Sequence, residues 1–193
     1  MNPSSAPTKS NEFKLGKVAG LELSATPSAL IASLILWVIL AAVAYLLPYP
    51  YHTTLLGAII GGFAAVILHH LSDLWHQLGH SWAARNVGHP MIGIRFGFLG
   101  LLSADIYPAD EGELPAGVHI RRALGGPLAS LAMSVVAGII FLVLNGRGYG
   151  ALWLLSLFFF LENFVVFTLE IFLPLGFNDA STVLHWLRQP AKK

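Results

Sequence analysis

The chain has 193 residues, 55% of them apolar and 11% charged, with a net charge of +1 and no cysteine. That charged fraction is roughly half the usual one for a soluble domain, which argues against a water-soluble fold, and the near-neutral balance offers no basic stripe for nucleic acid. Without cysteine there are no disulfides, thiolate metal sites or thiol nucleophiles, so His, Asp and Glu are left as metal ligands.

In chain order, residues 1–27 open with MNPSSAPTKSNEFKLGKVAG, which lacks the apolar core of a signal peptide. They are expected to form a polar, disordered cytoplasmic tail, with residues 28–193 as the membrane domain. A helix needs about 20 apolar residues to cross a bilayer, because each adds about 1.5 Å against about 30 Å of hydrocarbon. Four segments qualify. The first is Ala29 to Leu47, closed by the turn-like Pro48-Tyr49-Pro50-Tyr51. The second begins near Thr54 and runs far beyond the length of a span, with a polar second half, so it is expected to leave the membrane or bend.

Next, Ile92, Ile94, Phe96 and Phe98 alternate with Gly and Arg, and this period of two predicts a short membrane-associated β-hairpin. The third span covers about Ala123 to Leu144, where Gly126, Ser130, Ser134 and Gly138 form a ladder of small residues suited to close helix approach. The fourth, about Leu152 to Leu173, holds Glu162, Asn163 and Glu170; carboxyls are costly in lipid and are expected to face the protein interior. The predicted fold class is therefore an all-α polytopic membrane protein with four transmembrane helices and a hairpin between the second and third.

With four spans, both termini and the loop between spans two and three share one side. That side carries Lys9, Lys14, Lys17, Arg85, Arg95, Arg121, Arg122, Arg188, Lys192 and Lys193, whereas the other has Arg147. The positive-inside rule then makes both termini and Gly112 cytoplasmic, and puts Pro50 and Gly148 on the opposite face. The expected location is an inner cell membrane.

Candidate chemistry lies on span two, in His76-Gln77-Leu78-Gly79-His80. Residues four apart on a helix lie nearly one turn above each other, so both imidazoles can reach one metal ion. At 100° per residue, His69, Asp73, His76 and His80 fall within about 60° of one another. Asp73 and His69 are thus candidates to orient the ligand imidazoles. The competing explanation is coincidence, since the chain holds eight histidines. A polar stripe in an apolar segment favours the metal, because polar groups in lipid need partners.

The stretch His76 to Arg85 resembles the site-2 protease motif His-Glu-x-x-His followed by small residues and a basic one. Gly126-Pro127-Leu128-Ala129-Ser130 resembles that family's Gly-Pro segment. Phe172-Leu173-Pro174-Leu175-Gly176-Phe177-Asn178-Asp179 resembles its Leu-Pro segment leading to a ligand Asp. The three motifs occur in the family's order across about residues 54–190. The resemblance implies Zn2+ held by His76, His80 and Asp179, with a fourth position open to water. It also implies that the hairpin, through Ile92, Ile94 and Phe96, pairs with an unwound transmembrane segment of a client protein. The alternative is a hairpin that merely packs over the bundle. The partners expected are the lipid bilayer and such a client segment, with no nucleic acid.

Three positions depart from the pattern. Gln77 stands where the family has its general-base Glu, and an amide cannot take a proton from water and return it to the leaving amine. Ala180 replaces the Gly after the ligand Asp, and Ile171 replaces a substrate-contacting Asn. Gln77 is either an introduced inactivating change or the mark of a natural divergent relative; the three concurrent departures favour the latter. The sequence points to a zinc metallopeptidase scaffold that binds or acts on transmembrane segments with impaired or no proteolysis. The alternatives are an active intramembrane endopeptidase that uses another carboxylate, Asp73 or Glu170, and a His-cluster oxidase or metal transporter.

Overall fold

In the computed structural model, residues 12–47, 53–145 and 150–189 are described. The expected turn at Pro48 to Tyr51, and Gly148, lie outside them. Four helices are long and apolar enough to cross a membrane, at Pro27–Leu46 (α1), Leu55–Asn86 (α2), Ala116–Leu144 (α3) and Gly150–Phe172. The last is composite. It is α-helical over Gly150–Leu161 (α4), passes through a π turn at Glu162–Val166, and ends in a 3-10 turn at Leu169–Phe172. A short amphipathic helix, Asp179–Leu187 (α5), follows.

The second span, expected to leave the membrane or bend, is one continuous helix of 32 residues, α2. At about 1.5 Å per residue that is about 48 Å, more than the hydrocarbon thickness, so its polar C-terminal half has room to carry a site. It packs against α3 at a backbone contact. A Cβ added to Gly125 would lie 2.5 Å from the Gly79 carbonyl oxygen and 2.6 Å from Ala83 Cβ. The close approach thus falls on Gly79 and Gly125. Of the expected ladder, Gly126, Ser130 and Ser134 are buried in α3, and Gly138 instead meets the ring of Phe160.

The expected tail is also corrected. Phe13–Val18 (β1) and Leu21–Ala25 (β2) form an antiparallel hairpin, while residues 1–11 lie outside the described segments. Ala19 and Gly20, both at positive φ, make its two-residue turn. Strand β2 then pairs in parallel with Gly93–Phe98 (β3), Leu23 opposite Ile94, and β3 pairs antiparallel with Leu102–Ile106 (β4). The predicted hairpin is therefore half of a four-stranded sheet of order β1-β2-β3-β4. Its core consists of Leu21, Ala25, Met91, Ile94 and Phe96, with Ala29 of α1 and Ala84 of α2 packed against them. This anchors the sheet where α1 begins and α2 ends.

Candidate metal centre

His76 and His80 lie one turn apart on α2, both buried. Their Nε2 atoms are 3.0 Å from each other, and each is 3.2 Å from Asp179 Oδ2. Among the described residues these three form a group able to hold a metal ion. Asp179 is brought to them by the start of α5. Asn178 caps that helix through Ser181, and its Nδ2 donates to the carbonyls of Glu170 (3.2 Å) and Leu173 (2.8 Å). One amide thus ties the end of the fourth span to α5.

The fit to a metal can be tested on hydrogen positions. His80 Nδ1 lies 2.8 Å from the Arg122 carbonyl, which can only accept, so the proton sits on Nδ1 and Nε2 presents a lone pair. The Gly126 N–H contact to the same Nδ1 is longer, at 3.2 Å. His76 Nδ1 lies 3.0 Å from Ser130 Oγ, which leaves its Nε2 facing inward as well. Asp179 Oδ2 is buried without a hydrogen-bond partner. Three atoms able to ligate a metal therefore converge, one of them a buried carboxylate oxygen with no hydrogen-bond partner, an arrangement that a cation relieves. The triangle edges of 3.0 to 3.2 Å approach the edge of about 3.3 Å that follows from zinc–ligand bonds of about 2.0–2.1 Å. Gly126 leaves the space open, since a Cβ there would meet both Nε2 atoms. The residues fit zinc.

A cavity of about 400 Å³ opens beside the triad, lined also by Asp73, Gln77, Ser103, Asp105 and Glu170. Gln77 is buried and its Oε1 has no partner. Glu170 Oε1 is 3.4 Å from His76 Nε2. At the Ile171 position the polar group entering the cavity is thus the neighbouring Glu170. Ala180 is buried inside α5.

Several expected roles are reassigned. Asp73 does line the cavity, but it accepts from Ser103 Oγ and does not touch either ligand imidazole. The groups that orient the ligands are Ser130 Oγ and the Arg122 carbonyl, both on α3. His69 lies away from the triad, with Nδ1 2.5 Å from Glu162 Oε1 and Nε2 3.2 Å from the Leu101 carbonyl. As for the residues expected to pair with a client, β3 lies between β2 and β4 with both edges used, and Ile94 and Phe96 are 0% and 9% exposed. Ile92 is exposed, but its backbone already bonds Glu22 and Ile106. The open edge on this side of the sheet is that of β4, and its residues 102–105 line the cavity.

The chain thus has the fold of a polytopic membrane-helix bundle with a His-His-Asp cluster, its two histidines in the C-terminal half of the longest helix, α2, and its aspartate at the start of α5. No protein-family model matches it, and no curated protein matches its sequence. Among solved structures its fold is similar to that of the Site-2 Protease from Methanocaldococcus jannaschii. The TM-score is 0.58 at 20% identity, over 91% of this chain and 71% of that one.

Proposed function

We propose that this chain is a site-2-protease-like intramembrane scaffold that holds one zinc through His76, His80 and Asp179 and binds transmembrane segments of a client, with proteolysis weak or absent because of Gln77. The observation that carries this reading is the convergence of three metal-ligating atoms on space that Gly126 leaves free. Zinc held there would supply Lewis-acid polarisation of water and of a peptide carbonyl. The chain's own residues supply the rest. Ser130 and the Arg122 carbonyl fix the two imidazoles, and Asn178 holds Asp179 in place. Gln77 can position a hydrogen-bonding partner in the cavity but cannot take its proton. A client helix would unwind and lie along the free β4 edge, which backbone hydrogen bonding favours.

The test is zinc content together with cleavage of a reconstituted single-span substrate by the chain and by Gln77→Glu. About one zinc per chain is expected, with cleavage rising by about 10²- to 10⁴-fold in the variant. Absence of zinc under saturating supply overturns the reading. A second reading, an active endopeptidase, is favoured by Glu170, whose carboxylate reaches His76 in the same cavity. Chelator-sensitive cleavage by the unaltered chain, abolished in Glu170→Gln, would select it.

A further inference from the structure

The cavity beside the triad is lined by four carboxylates, Asp73, Asp105, Glu170 and Asp179, and by no Lys or Arg. Three are accounted for by the fold or by the metal-binding group. Asp73 takes the Ser103 hydroxyl, Asp179 faces both imidazoles, and Glu170 reaches His76. Asp105 differs. Its Oδ2 accepts from Tyr107 Oη at 3.2 Å, while its Oδ1 is buried and has no partner. A buried carboxylate oxygen with no donor costs free energy, and burial accordingly pushes the Asp105 carboxyl up from its ordinary value. Asp105 is outside the metal-binding group, so a metal held by the triad does not satisfy it by coordination.

Position gives the missing partner its chemistry. Asp105 sits on β4, the strand with an open edge, two residues after Ser103, so both side chains project from the same face. Ser103 reaches α2 there, which identifies that face as the cavity side. A segment paired along β4 places a side chain directly opposite Asp105, about 4.5–5.5 Å away between Cβ atoms, on that same face.

We propose that Asp105 is a specificity-determining residue that receives a Lys or Arg side chain of a bound transmembrane segment where the segment runs extended beside β4. This rests on the reading that the chain binds such segments. Tyr107 is the positioning residue that fixes one carboxylate oxygen and leaves the other for the incoming cation. The long stem of a basic side chain also suits the site, since it can cover apolar wall while its charged head meets the carboxylate.

The test uses the full chain in nanodiscs of phosphatidylcholine, which carry no net charge to attract a basic peptide. The probe is a fluorescent single-span peptide with a flexible flank, in which one Lys is moved through consecutive positions and compared with Gln at the same place. Binding tighter by about tenfold for Lys at one register is expected, with the preference lost in Asp105→Asn and weakened in Tyr107→Phe. Zinc content and unfolding temperature of each variant report whether it is folded. Equal affinity for Lys and Gln at every position overturns the proposal and leaves client binding standing. Retention of the preference by folded Asp105→Asn does the same. Failure of every peptide to bind overturns both.

Discussion

Gln77 lies beside the candidate metal centre, lining its cavity, yet carries an amide, which cannot take a proton from water. Glutamate at that position would occupy nearly the same volume one residue from His76, so Gln77→Glu tests the remaining scaffold without remodelling it. A gain in cleavage that resists chelation would mark a contaminant. At the ligands, Ala at His76, His80 or Asp179 should remove most bound zinc, measured by metal analysis of purified protein, because a three-ligand site loses its chelate geometry with any one of them. His69→Ala should keep the zinc but lower stability, since it removes the hydrogen-bond partner of the half-buried Glu162 carboxylate. Normal zinc in Asp179→Ala would show that the third ligand is misassigned. The pair His76 and His80 was legible in the sequence because helix geometry is local. Asp179 became legible only through motif resemblance, being far along the chain. The Arg122 carbonyl was not legible at all, since any residue type supplies one. Asn178-Asp179-Ala180-Ser181 did carry a helix-cap signal that would have placed Asp179 at a helix start.

The elements meet where side chains are smallest. Gly126 sits against both ligand imidazoles, so Gly126→Ala should lower zinc content sharply although every ligand remains. Unchanged metal in that variant would mean that α3 can retreat from α2. A second joint is the buried Arg122, whose guanidinium donates to both carboxylate oxygens of Glu111 (2.9 and 2.5 Å) and to the His89 carbonyl (2.6 Å) and lies 4.0 Å from the Tyr107 ring centroid. Arg122's hydrogen bonds hold the Glu111 carboxyl below its ordinary value of 4.5. The stability this contributes is present above the ordinary value and is lost as pH falls through the lower, folded-state value. Thermal unfolding between pH 7 and pH 3 should therefore decline less steeply in Glu111→Gln than in the parent chain; parallel curves would assign the pair no role. At this scale the helices were legible from apolar length. The first hairpin was not, because its Ala19-Gly20 turn lacks the Asn-Gly or Asp-Gly signal and its outer strand is exposed.

Taken whole, the molecule gathers its chemistry at one end. Strands β2 and β3 lie side by side although α1 and α2 come between them in sequence, so two crossings return the chain to the face it left. From the charge asymmetry, ten basic residues against one, we infer that this face is cytoplasmic. Cysteine at Gly112 should accordingly resist an impermeant thiol reagent in intact cells and react after lysis, while cysteine at Thr53 should react from outside. The opposite pattern would invert the topology. The span count was legible from composition, whereas the sheet was not, because its central pairing joins segments on either side of two apolar helices.

That pairing also sets an order of events during synthesis. Leu23 must wait for Ile94, about 70 residues later, and at about 5–20 residues per second the wait is about 4 to 14 s. Through that interval both helices are entering lipid while the first hairpin stands with an open edge at the translating ribosome. Asp179 follows later still, after two further helices. A nascent chain can therefore form its sheet before all three candidate ligands have been made, so a metal held by them would be captured only after the sheet has closed.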